Sequence, residues 1–600
     1  MKDDAPLPAN GDAVRIRGMG YTAEAGWFGP QERPRFGWLY RPDTPAPNDV
    51  GIVIVPPFGR EYICAHRTLR HLAEQAARAG FPAVRFDLDG SGDSAGDDTD
   101  PERVAAWLAS IHDACGLARG AGAGQLLLVG VRLGAMLATL AAPERTDVAA
   151  LVAFNAVVSG KAYLRELRAF QASMDLQPPP EAQAEPGQET SGFLLTEATC
   201  ATLQSADLTR VDGRPAPVVH VLERDDLPER KAWPEHLRSL GATVVARRVA
   251  GYAAMLDDPH RTRVAQAFID ACLACGHGLA SAPAAPLPAT PPTLRPRARA
   301  RIGNAAIIEE VVTPGADMFG ILASPVEGTA QRAVLMLNAG AIRHIGSNRT
   351  DVTLARQLAA QGLQVLRADL TGIGDSPARQ DARENIVYGP HAVQDVGVMV
   401  SWLRARGVAD LVVGGMCSGA YHALRAAIAG QAIDSVYLVN CGVFGSTVEF
   451  DPENSSLFGD INHYKEAVKS ARAWRRLLTG KVAFGAAARV AAWYLRNGCK
   501  RMGKGAAHLL HIPLHDDLGS DLLALARRGV RVHFLFSAND PGRTVLATEA
   551  GSTVSRLRRA GKLTMRIVEG PDHTFTQRWG QVLLRNAIEA TLKPTGERGQ

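Results

Sequence analysis

Three residues in the last third of this chain have the types and order needed for covalent chemistry. In LVVGGMCSGAYHAL (411–424) an apolar run ends in glycines and a helix-forming run follows, with Cys417 at the apex. Gly415-Met416-Cys417-Ser418-Gly419 fits a G-x-nucleophile-x-G elbow. In such a turn the apex residue takes a strained φ/ψ, and the small flanking residues let strand and helix approach closely. A thiol placed there stands at a helix N-terminus, where the dipole and free N–H groups favour the thiolate. SANDPG (537–542) follows one apolar run and offers Asp540; EGPDHTF (569–575) follows the next and offers His573. A thiol with a base in reach, and an acid to orient that base, is a nucleophilic-catalysis set. Two other readings of the apex stay open. Cys417 could be a packed core thiol, since free cysteine is often buried, or Ser418 could be the nucleophile, in which case the elbow loses the glycines at both its ends.

These residues need strand ends to carry them, and the chain provides such ends twice. RFGWLYRP (35–42) is matched by MFGILASP (318–325), GIVIVPPFG (51–59) by AVLMLNAG (333–340), FPAVRFDLDGSGDS (81–94) by LQVLRADLTGIGDS (363–376), QLLLVGVRLGAMLA (125–138) by DLVVGGMCSGAYHA (410–423), and PVVHVLERDD (217–226) by VRVHFLFSAND (530–540). A repeat of this length is a duplication of a whole domain. Within each copy, short β-rich apolar runs alternate with helical patterns such as TLARQLAAQG (353–362). That alternation predicts an α/β fold, a mostly parallel sheet covered by helices on both faces, opened by antiparallel strands. Insertions of helical character, about 158–212 and 445–520, fall where a cap could fold over the carboxyl ends of the strands, the side on which such sheets bind ligands. The Ala/Pro-rich 276–300 reads as a semi-rigid linker. The expected division is a disordered stretch over 1–12, a first domain over 13–275, the linker, and a second domain over 301–595.

Nucleophile, acid and base in that chain order, each after a strand, is the order of α/β-hydrolases. Copy two resembles that family over most of 303–595. The resemblance implies Cys417 as nucleophile, His573 as base and Asp540 as orienting acid, a Cys-His-Asp set similar to that of dienelactone hydrolases. It also implies an oxyanion hole from the Ser418 N–H and a donor in NAGAIRHIG (338–346), Gly340 or Ala341; each such donor is worth about 3 kcal/mol. Arg343, His344 and Arg349, in or just after that loop, are either solvated or contacts for an anionic substrate. Asp369 and Asp375 are read as shaping a turn. Copy one has Arg132 at the apex and Ala254 at the base position; an arginine is always protonated and cannot attack. This half resembles the exosortase A-associated hydrolase 2 group over most of 50–260, through PPFG, FDLDGSGDS, VRLGA, NAVVSGKAYL and GYAAML. Members of that group carry arginine at this elbow, which implies a catalytically inactive copy, with Arg132 as scaffold or as a fork for a carboxylate or phosphate.

Composition narrows the classes further. With 46 % apolar and 21 % charged residues the chain is ordinary globular protein, and a net charge of +5 does not point to nucleic acid. No apolar run is long enough for a membrane span, and the polar start has no secretory apolar region, so a cytoplasmic protein with reduced thiols is expected. Cys272 and Cys275 form a CxxC without the further ligands a metal or redox site needs. Eleven Lys and Arg against Glu466 in 463–505 make the second cap strongly basic. It is read as a solvated face or as a dock for an acidic partner such as an acyl carrier protein. The function expected is ester or thioester hydrolysis on a small-molecule acyl substrate, with acyl transfer or a silent binding scaffold as alternatives, and no cofactor or metal required.

Overall fold

A computed structural model describes residues 14–174, 186–281, 293–327, 330–380, 382–445 and 517–592. Copy one is a nine-stranded sheet: β1 (Arg15–Gly18), β2 (Tyr21–Phe28), β3 (Arg35–Pro42), β4 (Val50–Val55), β5 (Ala83–Phe86), β6 (Gln125–Val131), β7 (Val148–Phe154), β10 (Val218–Arg224) and β11 (Thr243–Val249) in the order β1-β2-β3-β5-β4-β6-β7-β10-β11. A short hairpin, β8 (Gln188–Thr190) and β9 (Phe193–Leu195), lies outside it. From β1 to β5 the pairings in this order are antiparallel; from there to β11 they are parallel. Copy two repeats the plan with β12 (Arg297–Ile302), β13 (Ala305–Val312), β14 (Gly320–Pro325), β15 (Arg332–Leu337), β16 (Gln364–Ala368), β17 (Asp410–Met416), β18 (Ser435–Val439), β19 (Arg531–Ser537) and β20 (Leu563–Val568), in the order β12-β13-β14-β16-β15-β17-β18-β19-β20. The exchange of two neighbours near the middle of each order marks crossovers, which in a parallel sheet need helices. The expected fold class, α/β with two tandem, mostly parallel sheets flanked by helices, is what the described residues form.

The central strands explain why. Every residue of β4 and β6 is buried, as a strand covered on both faces must be. Alternate residues serve opposite faces: Val53, Val55, Leu126 and Leu128 join one apolar cluster, and Ile52, Ile54, Leu127 and Val129 the other.

By packing, the chain divides into two compact units, Met1–Ala333 with Gly340–Ile386 and Thr576–Gln581, and Val334–Ala339 with Val387–Phe575 and Val582–Gln600. The division does not follow the repeat, because the opening strands of copy two pack with copy one. The linker is also shorter than its composition suggests. A helix runs to Gly278, a strand starts at Arg297, and Arg295 already exchanges two backbone hydrogen bonds with Trp27. The copy-one insertion is helical over Gly160–Ser173 and Glu197–Ser205, with the β8–β9 hairpin between them. In copy two, 446–516, and with it the basic stretch, lies outside the described residues. No described helix is long and apolar enough to cross a membrane.

Candidate active site

The turn from β17 into the helix Ser418–Ile428 is the expected elbow. Cys417 takes φ 55° and ψ −110°, a left-handed conformation that costs a non-glycine residue energy and persists only where its surroundings enforce it. The enforcement comes from both sides. Cys417 N donates to Val439 O at 2.9 Å at the end of β18, and Tyr421 N closes the first helical turn on Cys417 O at 3.1 Å. A Cβ on Gly415 would stand 2.8 Å from Leu337 O, and one on Gly419 2.7 Å from the same oxygen. Both glycines are therefore required by the approach of the elbow to β15.

Asp540 and His573 follow the ends of the next two strands. Asp540 N-caps the helix Pro541–Arg559, where Oδ1 accepts from Gly542 N at 2.8 Å. Its Oδ2 meets His573 Nδ1 at 2.5 Å. The Asp540 carboxylate is fully buried, while the His573 imidazole keeps 41 % of its side-chain exposure. With Nδ1 taken, His573 offers Nε2, and its side chain hydrogen-bonds Cys417. Burial by itself pushes the Cys417 thiol up. The bond to His573, the charge of that ring, the Ser418 N–H and the Tyr388 hydroxyl outweigh burial and hold the thiol below its ordinary range. Burial likewise pulls the imidazole down, but Asp540 and the Cys417 sulfur push it up to about 10. The arrangement favours a thiolate–imidazolium pair.

Two residues of this site carry no motif of their own. Asn440, at φ 46°, donates from Nδ2 to His573 O at 2.6 Å and accepts at Oδ1 from Ser537 N at 2.8 Å. It ties the ends of β18 and β19 to the backbone of the base. The available signal is duplication: Asn155 occupies the same place after β7, with φ 45° and N bonded to Leu222 O at 2.7 Å, as Asn440 N is to Leu535 O at 2.9 Å. Tyr388 reaches Cys417 from VYGP, upstream of the helix Ala392–Ala405. Ser418, the other proposed nucleophile, is buried, and its hydroxyl donates to Asn338 O at 3.3 Å.

No family model and no curated protein matches the chain. Among solved structures it is similar to Est1E from Butyrivibrio proteoclasticus with ferulic acid bound, at 16 % identity and a TM-score of 0.32 over 42 % of this chain and 97 % of that one. It is similar to an alpha-beta serine hydrolase homologue from Coxiella burnetii, at 14 % identity and 0.28 over 48 % and 97 %. A proline iminopeptidase from Mycobacterium smegmatis matches at 15 % identity and 0.30 over 42 % and 99 %.

Copy one repeats the elbow with a different residue at its apex. Arg132 has φ 54° and ψ −119°, and its N–H bonds Phe154 O at 3.0 Å, as at Cys417. Its guanidinium is spent internally: Nε lies 2.6 Å from Glu61 Oε1 and Nη2 2.5 Å from Glu166 Oε1, with the Tyr163 ring at 5.5 Å. Paired with two carboxylates, it presents no free charge to an anion, which corrects the fork reading.

The structure gives Arg343, His344 and Arg349 a similar correction. All three are buried within the first unit and face copy one. Arg343 Nη2 donates to Asp87 Oδ1 at 2.9 Å; Arg349 donates to the carbonyls of Gly92, Ser94 and Gly96 at 2.7–2.9 Å. His344 bridges Asp369 through Nδ1 and Asp93 through Nε2, each at 2.8 Å. A charged cluster after a strand is usually solvated; here it closes a seam between the copies instead of meeting substrate. Asp369 and Asp375 shape the turn as expected, with Asp375 N on Asp369 Oδ2 at 2.9 Å, and Asp93 N on Asp87 Oδ2 repeats it at 2.8 Å. His344, Asp369 and Asp375 have potential metal-donor atoms within 4.8 Å of one another, but His66 and Arg85 already bind Asp375, and both nitrogens of His344 are used. Gly340, at φ 60°, and Ala341 follow β15 and belong to the first unit. The structure thus brings together Cys417, Ser418, Asp540 and His573, and gives Arg132, Arg343, His344 and Arg349 partners of their own elsewhere.

Proposed function

We propose that the chain hydrolyses an acyl ester or thioester through an acyl-cysteine at Cys417. The observation that carries this reading is the hydrogen-bond chain Cys417–His573–Asp540 on a strained elbow. The Cys417 thiolate attacks the acyl carbon, and the negative charge that develops on the carbonyl oxygen is met by the Ser418 N–H at the head of its helix. As the C–O or C–S bond of the substrate breaks, His573 passes its proton to the departing alkoxide or thiolate. Neutral His573 then takes a proton from water while that oxygen attacks the acyl-cysteine. The Sγ–C bond breaks with its electron pair on sulfur, releasing the carboxylic acid and restoring the ion pair. Copy one, with Arg132 at the apex, supplies no nucleophile and serves as scaffold.

The test is turnover of a chromogenic short-chain acyl ester and a thioester, with labelling by a thiol-directed activity probe. Cys417→Ala should lose labelling and at least about 10⁴-fold in kcat. Asp540→Asn, which leaves the imidazole without its anionic partner, should lose about 10²–10⁴-fold. Equal behaviour of wild type and Cys417→Ala on every such substrate would sink the reading.

A further inference from the structure

A second polar side chain touches the reacting sulfur. The Tyr388 hydroxyl hydrogen-bonds Cys417 Sγ, and the structure around it fixes where that hydroxyl can be. The ring stands edge-on to Tyr421, centroids 5.2 Å apart at 81°, and tilted against His422 at 5.9 Å. Tyr421 is anchored by its own hydroxyl to Gly445 O at 3.1 Å, and buried His422 holds the carbonyl of the preceding residue, Val387 O, at 2.8 Å. Tyr421 and His422 both belong to the helix that starts at the elbow, so one element positions the thiol and the phenol together. Copy one, which has no thiol at its apex, also has no tyrosine in the matching stretch GDDTDPE (96–102) before its helix Arg103–Gly120.

We propose that Tyr388 is a catalytic residue that donates its hydroxyl hydrogen bond to the Cys417 sulfur, stabilising the thiolate that attacks and, in the second half of the reaction, the thiolate that leaves. The proposal rests on Cys417 being the nucleophile. A phenol ordinarily ionises near 10, and burial together with the Cys417 charge pushes Tyr388 higher, so at neutral pH it keeps its proton, and toward a thiolate, which has none to give, it is the donor. Hydrogen bonds to an ionised partner are about twice as strong as neutral ones. A thioester sulfur is a far poorer acceptor than a thiolate. The bond therefore strengthens as the tetrahedral intermediate collapses, the C–S bond breaks and the electron pair returns to Sγ. A contact that grows along the reaction coordinate accelerates the step.

The full-length chain is tested in three forms: wild type, Tyr388→Phe, and wild type carrying 3-fluorotyrosine at position 388. The pH dependence of iodoacetamide alkylation at Cys417 is followed by mass spectrometry, with Cys417→Ala as blank. Tyr388→Phe keeps the ring packing and should raise the apparent pKa of Cys417 by about one unit, a tenfold loss of thiolate below it. Deacylation after a chromogenic acyl-ester burst should slow about tenfold. The fluorinated phenol, a stronger donor, should shift the thiol pKa the opposite way, and it tests the proposal even if Tyr388→Phe fails to fold. Unchanged thiol pKa and deacylation in both variants overturns the role of Tyr388 while leaving Cys417 as nucleophile. A wild-type Cys417 that alkylates like an ordinary thiol and forms no acyl-enzyme removes the reading on which the proposal rests.

Discussion

On the Cys417 sulfur, burial and the surrounding donors act in opposite directions, and the donors prevail. Burial without compensating donors raises a thiol, as at Cys115, which it pushes up to about 12. Cys417 is held below the ordinary range because an imidazole, a helix-head N–H and a phenol all face it. His573, pushed up to about 10 by Asp540 and the sulfur, stays protonated while the thiol is ionised. Acylation should therefore rise as pH increases through the lowered Cys417 pKa and hold a plateau across neutrality. For an alkyl ester it should fall as pH passes about 10, where His573 loses the proton the alkoxide needs. A thioester, whose leaving thiolate needs no proton, should keep its rate on that upper limb. Single-turnover acylation of both substrates against pH checks this. Activity that appears only as an ordinary thiol ionises would show that no ion pair forms.

Elements decide which side chains an elbow can use. The turns after β6 and β17 share their backbone geometry and their hydrogen bond to the neighbouring strand. What differs is the apex residue and what faces it. At Arg132 the partners are Glu61 and Glu166. Removing one member of a buried ion pair strands the other charge, at a cost of about 3–5 kcal/mol; Glu61 and Glu166 keep 22 % and 57 % side-chain exposure, so the cost here should be nearer 1–2 kcal/mol. Arg132→Met should lower the melting temperature by several degrees and leave thioester turnover by the folded protein unchanged. A loss of kcat larger than tenfold, with the protein still folded, would give copy one a part in catalysis. This is also where the sequence was legible and where it stopped. Cys417, Asp540 and His573 each follow an apolar run and carry local marks, a glycine spacing or a turn. The duplication exposed the arginine by comparison. Tyr388 and Asn440 have no such marks, because they meet the site only through tertiary packing. Arg343, His344 and Arg349 follow a strand as surface charges do, and the partners they find in the other copy, Asp87, Asp93 and the carbonyls of Gly92, Ser94 and Gly96, cannot be found by spacing.

Across the molecule, the duplication left a seam with approximate two-fold symmetry inside the first unit. Arg85 Nη2 binds Asp375 Oδ1 at 2.5 Å, and its counterpart Arg367 binds Asp93 Oδ1 at 2.7 Å. Ser94 and Ser376 each donate to the carbonyl of the aspartate that opens their turn at 2.7 Å and accept the N–H of Phe36 and Phe319 at 2.9 Å. His344 breaks the symmetry. Its counterpart Tyr62 meets Asp87 as His344 meets Asp369, but the imidazole also reaches across to Asp93. Burial alone would lower its pKa; the two carboxylates raise it to about 9. An unfolded histidine has a pKa near 6.5, so the folded value is the higher one. The stabilisation is then fully present below about pH 6.5 and lost as pH rises through about 9, on the order of 3 kcal/mol at most. Asp351, which feels the same imidazole, is pushed up by burial to about 6 and titrates below this window. The difference in melting temperature between wild type and His344→Gln should thus be large at pH 6 and shrink by pH 9.5, while neighbouring Arg367 still neutralises Asp93. A difference that stays constant between those pH values would mean that His344 holds the seam as a neutral ring, by packing and one hydrogen bond, and not as the cation shared by the two copies.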